Sequence, residues 1–251
     1  MKQTNKPFFL LAATVSISCI LFSCKKESPA VASQSKESVQ MLRSGLSDTI
    51  TLHIQPGPNE GSDAMVCYQQ NDPVVANTNY GTSKEMHIMW WTTGNSPFDT
   101  RAYIKFNKPA EIKKNSVIVS AKLLLYGLPS SDFHPQGNSN YPGSPYTQPN
   151  NLLIQQIITD WNQGTITWNN QSSVLVSDLN QIVTRTSTSQ WNDNYEIDVT
   201  KMVNEMKRTR KNFGFRISLK REAAYRSVSF ATSNYPDAAR WPAMEIKYVN
   251  Q

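Results

Sequence analysis

Beyond residue 48 apolar and polar positions alternate with a period of two. Ile50, Leu52 and Ile54 are set against Thr51 and His53, Met86, Ile88 and Trp90 against His87 and Met89, and Ala102, Ile104 and Phe106 against Arg101, Tyr103 and Lys105. The period returns in Phe213, Phe215, Ile217 and Leu219 against Gly214, Arg216, Ser218 and Lys220, and in Met244, Ile246 and Tyr248 against Glu245 and Lys247. Period two sends alternate side chains to opposite faces of a strand, so each run predicts a half-buried strand. Val117–Tyr126 and Leu152–Ile158 read as further strands. Many short strands separated by Asn, Gly, Pro and Ser predict an all-β fold, a jelly-roll-like antiparallel β-sandwich.

One segment breaks the period. Val199, Met202, Val203 and Met206 recur at helical spacing, Asp198 can cap the start, and Asn212 to Gly214 can end it. This predicts one short amphipathic helix closing an end of the core.

The N-terminus carries a different signal. Lys2 and Lys6 precede an apolar run from Phe8 to Phe22 that ends in Leu21-Phe22-Ser23-Cys24, the layout of an export signal. Its last residues resemble the lipobox of bacterial lipoproteins, which implies lipidation of Cys24 and attachment to a membrane by that lipid. The expected organisation is a signal peptide over 1–23, a lipidated flexible tether over 24–47 rich in Ser, Lys, Gln and Glu, and one domain over 48–251. Lys25, in place of an Asp after the anchor, favours the outer membrane, with the domain facing periplasm or medium.

Charge narrows the partners. The chain has 25 Lys and Arg against 19 Asp and Glu, and loss of Lys2 and Lys6 leaves the mature form at +4. That is a mild excess, compatible with weak attraction to acidic polymers but without the basic blocks and interleaved aromatics of a nucleic-acid binder, so no nucleic acid is expected. Lys207-Arg208-Thr209-Arg210-Lys211 reads instead as cations complementing a helix C-terminus. Of three cysteines only Cys67 lies in the domain, where it reads as a small buried residue; disulfides are not expected. His53, His87 and His134 lack metal-ligand spacing.

Several segments together carry a resemblance. Thr100–Phe106 is followed by Val119–Tyr126, by Asp160-Trp-Asn-Gln-Gly-Thr-Ile-Thr-Trp-Asn-Asn-Gln171, by Ile197–Val203, by Asn212–Phe215, by Tyr225–Ser233 and by Arg240–Ile246. In this order they resemble the disaggregatase-related (DNRLRE) domain family, itself similar to carbohydrate-binding module family 96. The resemblance spans about Asp48 to Val249. It implies a jelly-roll-like sandwich in exported bacterial proteins, alone at the surface or attached to polysaccharide-degrading enzymes.

The motif residues themselves read as structure. Trp161 and Trp168 flank a turn and are expected to bury their rings with the indole N–H groups bonded locally. Asp198 reads as the helix cap, and Phe230-Ala-Thr-Ser reads as an inward strand with a turn after it.

Candidate binding residues come from the polar side of the alternation. If the apolar partners face the core, Arg101, Tyr103 and Lys105 face outward from one strand and Arg216 and Lys220 from another, and neighbouring strands would join them into a basic surface with an aromatic centre. Arg221 and Arg226 extend it at the next turn. Arg offers bidentate bonds to carboxylates, Lys a point charge and Tyr a flat face for a pyranose, a combination suited to a uronate-rich polysaccharide. Of the pair Trp90-Trp91, the expectation is that Trp90 is buried and Trp91 exposed. No catalytic motif for acyl, phosphoryl or metal-assisted chemistry is found, although Glu85, Asp99, Glu196 or Glu222 could assemble a carboxylate pair from distant strands. No cofactor is expected beyond a structural calcium in the oxygen-rich stretches Asn59–Asp63 and Asn71–Asn79. The expected function is a non-catalytic carbohydrate-binding module, the alternative a surface scaffold or adhesin recognising protein.

Overall fold

The main hydrophobic core joins two antiparallel sheets: Leu52, Ile54, Leu123, Ile197, Met244 and Ile246 from one meet Ile88, Ala102, Ile104, Phe215, Ile217, Val228 and Phe230 from the other. The protein is described by a computed structural model over residues 40–43, 49–106, 112–129, 149–189 and 192–250. The export signal, Cys24 and most of the long polar stretch 129–151 lie outside the described residues. In chain order the elements are β1 (Gln40–Arg43), β2 (Thr49–Ile54), β3 (Gly61–Gln69), α1 (Pro73–Asn77), β4 (Glu85–Thr93), β5 (Ser96–Phe106), β6 (Val117–Leu125), β7 (Leu152–Ile157), β8 (Val176–Val183), β9 (Tyr195–Asp198), α2 (Thr200–Thr209), β10 (Phe215–Leu219), β11 (Arg226–Ala231) and β12 (Ala243–Val249).

The smaller sheet runs β1-β2-β12-β6-β9 and the larger β11-β4-β5-β10-β7-β8, with β3 on β5. This is the expected all-β sandwich. β1 falls within the segment expected as tether: Gln40 pairs with His53 and Arg43 with Ile50, so an edge strand precedes residue 48.

β5 is the organising strand. It pairs along one edge with β3 from Gly61↔Phe106 to Gln69↔Phe98, and along the other first with β4 and then with β10. Where β4 leaves the ladder, Thr100 fills the gap: its hydroxyl donates to His87 O at 2.5 Å and accepts from Met89 N at 3.0 Å. Buried backbone groups are therefore satisfied at the point where β4 gives way to β10.

α2 buries Met202, Val203 and Met206 in the core. Each contributes roughly 1.5–3 kcal/mol, which holds a helix too short to persist alone in water. The expected cap is displaced by one residue: the N-cap is Val199, which has no side-chain capping bond, and Asp198 just before it accepts from Thr200 N at 2.9 Å. Gly214, entering β10, has φ +82°, and a Cβ there would lie 1.9 Å from Ile104 O, so only glycine fits.

The alternation misleads at β5. The stretch between β7 and β8 folds back over β3 and β5 and forms a second core in which Ala64, Val66 and Tyr103 pack against Ile157, Trp161, Ile166 and Val174. What period two presents as a solvent face is thus a covered face over part of its length.

Candidate functional site

β5 and β10 are hydrogen-bonded neighbours, with Arg216 across from Tyr103 and Ile217 across from Ala102. The adjacency that a joint Arg101–Arg216 surface needs is present. Its expected aromatic centre is not: Tyr103 is fully buried, its hydroxyl donating to Gln171 Oε1 at 3.0 Å and its ring 5.6 Å from that of Trp161. The overlying stretch claims this side chain for the second core, which is the physical reason for the correction.

Arg101 is held on three sides. Nε and Nη2 donate to the two carboxylate oxygens of Glu222 at 2.7 and 2.8 Å, Nη1 donates to Gln171 Oε1 at 3.3 Å, and Cζ lies 4.6 Å from the Trp168 ring centroid. Trp168 is stacked in turn on Tyr68 at 5.5 Å. Lys105 is occupied as well, donating to Asp160 at 3.1 Å and to Trp161 O at 3.4 Å, and its hydrogen bond holds the Asp160 carboxyl below the usual carboxylate range.

Arg216 is different. Nη2 donates to Gln155 Oε1, Nε is buried without a partner, and among the described residues no carboxylate pairs with it. A buried guanidinium donor left open is costly unless something fills it. Arg216 also lines a depression of about 430 Å³, together with Arg101, Trp168, Gln171 and Leu175. Beside it, Asp99 lies 3.9 Å from Arg101 Nη2. Burial first, and the Glu222 carboxylate second, push the Asp99 carboxyl up to about 7 against the opposing pull of Arg101.

The depression therefore offers one guanidinium that no carboxylate among the described residues pairs, a second guanidinium fixed by Glu222, an amide and a half-buried indole. A guanidinium without a carboxylate partner beside an indole suits a planar carboxylate carried on a ring with an apolar face.

The other expected positions fall elsewhere. Arg226 is buried, donating to Pro149 O at 2.9 Å and Ala224 O at 3.1 Å, because β11 is covered on both faces; it is unavailable at the surface. Burial holds its guanidinium below the usual arginine range. Lys220 and Arg221 are exposed just beyond β10 and do not line the depression. The Trp pair is reversed: Trp91 is buried edge-on against Tyr225 at 5.3 Å, whereas Trp90 is the more exposed. β4 packs on both sides, so alternation carries no information about which of the two is covered.

Trp161 is buried as expected, but its indole N–H bonds a distant group, Phe213 O, at 2.8 Å. Trp168, expected in the core, lines the depression instead. Gln155 carries no motif of its own, and Gln171, which ends the Asp160–Gln171 segment, and Glu222 enter the site through strand register and the fold-back, not through any ligand-binding signal in the sequence.

The oxygen-rich stretches are engaged internally. Asp72 Oδ1 caps α1 through Val74 N at 3.1 Å, Asn79 Nδ2 donates to Gln163 O and Ile166 O, and Asp63 Oδ2 accepts from Ser233 N at 2.8 Å. Among the described residues no group of three or more His, Cys, Asp or Glu side chains is placed to hold a metal ion. Among the described residues, too, no helix is long and apolar enough to cross a membrane.

The sequence model of carbohydrate-binding module family 96 matches residues 62–244, from β3 to β12 and across the whole of the depression. No curated protein matches the chain.

Proposed function

The chain belongs to carbohydrate-binding module family 96, and we propose that it is a non-catalytic module binding an acidic, uronate-bearing polysaccharide in the depression between Arg101, Trp168 and Arg216. The observation that carries this is an Arg216 guanidinium that no carboxylate among the described residues pairs, beside a half-buried indole. A sugar carboxylate would complete the donors of Arg216, while the indole and Gln171 would contact the ring and its hydroxyls. Arg101, already neutralised by Glu222, orients the wall of the site. Lys105 is outside it.

The lipobox-like Leu21–Cys24 supports anchorage by a lipid on Cys24, and Lys25 supports the outer membrane as its location. Such a module would hold a polymer close to the cell envelope.

A second reading has its own support. Ile158, Leu175, Leu179 and Val183 are exposed apolar residues at or near the β8 edge of the larger sheet, as a scaffold recognising protein would display. A screen of the purified protein against alginate, pectin, neutral glycans and peptidoglycan separates the two. Salt-sensitive binding to the uronate polymers supports the depression, and no binding to any glycan favours the protein-recognising scaffold.

A further inference from the structure

α2 and the segment entering β6 border a second groove, of about 1050 Å³, with a strongly one-sided charge. Among the described residues, Lys105, Lys114, Lys201, Lys207, Arg208 and Arg210 line it with one carboxylate, Glu205. Glu205 is taken by Arg208 at 2.7 and 2.8 Å, and Lys105 by Asp160. Lys207 donates to the carbonyls of Lys114 and Ser116 and Lys201 to that of Leu179, contacts that fix the side chains without neutralising them. The Lys114 and Arg210 side chains have no partner among the described residues. Among the described residues, four cations thus border the groove without a counter-charge.

Complementing the helix C-terminus does not explain this set. Lys207 and Arg210 sit where a cation is favourable, but Lys201 lies in the first turn of α2, where it opposes the helix dipole, and Lys114 lies off the helix. Arg210 also occupies the left-handed C-cap, φ 57° and ψ 27°, a position that glycine fills with less strain. Lys201 thus opposes the helix dipole, and Arg210 takes a backbone conformation that glycine adopts with less strain.

We propose that this groove is a second subsite for the same class of ligand, a polyuronate chain lying along α2 with carboxylates of successive sugars meeting Lys114, Lys201, Lys207 and Arg210. The inference rests on the carbohydrate-binding reading and extends it from one sugar-sized depression to a longer polymer. A ten-residue helix is about 15 Å long, enough to span several carboxylates.

The test is the double variant Lys201→Ala with Arg210→Gly, titrated with polygalacturonate over a range of salt beside the wild type and Arg216→Ala. Glycine suits the backbone at 210, so the double variant is expected to melt no lower than the wild type. Its affinity should fall about ten-fold at low salt, and the slope of log affinity on log salt should decrease by about two, one for each cation removed. Wild-type affinity and slope in the double variant, with binding lost in Arg216→Ala, overturn the groove and leave the proposed function standing. No polygalacturonate binding by the wild type overturns that function itself. Loss of binding to anionic lipid vesicles with polygalacturonate binding unchanged also overturns the groove as a glycan subsite, in favour of a membrane contact.

Discussion

The Arg101 guanidinium carbon lies 4.6 Å from the centroid of the Trp168 ring, and this contact joins β5 to the stretch that folds back over it. The same guanidinium grips both oxygens of Glu222 beyond β10. Three segments distant in sequence are therefore fixed around one planar cation, which leaves the neighbouring Arg216 as the open donor.

Arg101→Lys keeps the charge and loses the fork. Lysine cannot pair bidentately with Glu222 while lying flat on Trp168, so the variant should be less stable by about 1–2 kcal/mol. Urea denaturation measures this, and an unchanged midpoint would show that the contact is incidental.

Asp99 makes stability depend on pH near neutrality. Its folded-state carboxyl, at about 7, lies above the ordinary 3.8, so between these values the folded chain binds a proton that the unfolded chain does not. The resulting stabilisation is complete below the unfolded value and is lost as pH rises through about 7. Asp99→Asn should flatten the fall in stability across neutrality and gain roughly 1–2 kcal/mol above it. The same slope in both proteins would contradict this.

His87 acts with the opposite sign. Burial lowers it from 6.5 to about 4, and its ring bonds Ser229 Oγ at 2.7 Å through Nδ1. The unfolded chain is the more protonated between those values, so this contribution is present above 6.5 and is lost as pH falls toward 4. His87→Gln should melt at a more nearly constant temperature over that acid range than the wild type. Parallel acid limbs would count against the assignment.

Gly214→Ala should destabilise by about 3 kcal/mol or more, because the backbone is left-handed and the new Cβ would meet Ile104 O. Thermal unfolding reads this directly; a near-wild-type midpoint would mean that β5 and β10 part easily, against the preorganised site described here.

Strands with one polar face were legible in the sequence: the alternation in β2, β10 and β12 and the helical spacing of Val199, Met202, Val203 and Met206 all correspond to buried faces. β3 escaped notice because Asp63 to Cys67 are buried in succession, so neither face alternates. Tyr103 and Trp91 were misread for a related reason, since period two assigns a side chain to a face without saying what covers that face. The pairing of β5 with β10 had to be supposed, and the turn of the stretch after β7 onto β5 had no local signature. Both are set by long-range packing, and together they decide that Trp168, with Arg216, borders the site in place of Tyr103.

The central claim is that Arg216 is the open carboxylate receptor of a carbohydrate-binding depression. Calorimetric titration of the wild type and Arg216→Ala with polygalacturonate and with a neutral glucan tests it most directly. The wild type should bind the uronate polymer preferentially, and Arg216→Ala should lose at least ten-fold in affinity, about 1.4 kcal/mol, with the fold intact. Equal binding of both polymers, or uronate affinity untouched by the substitution, would contradict it.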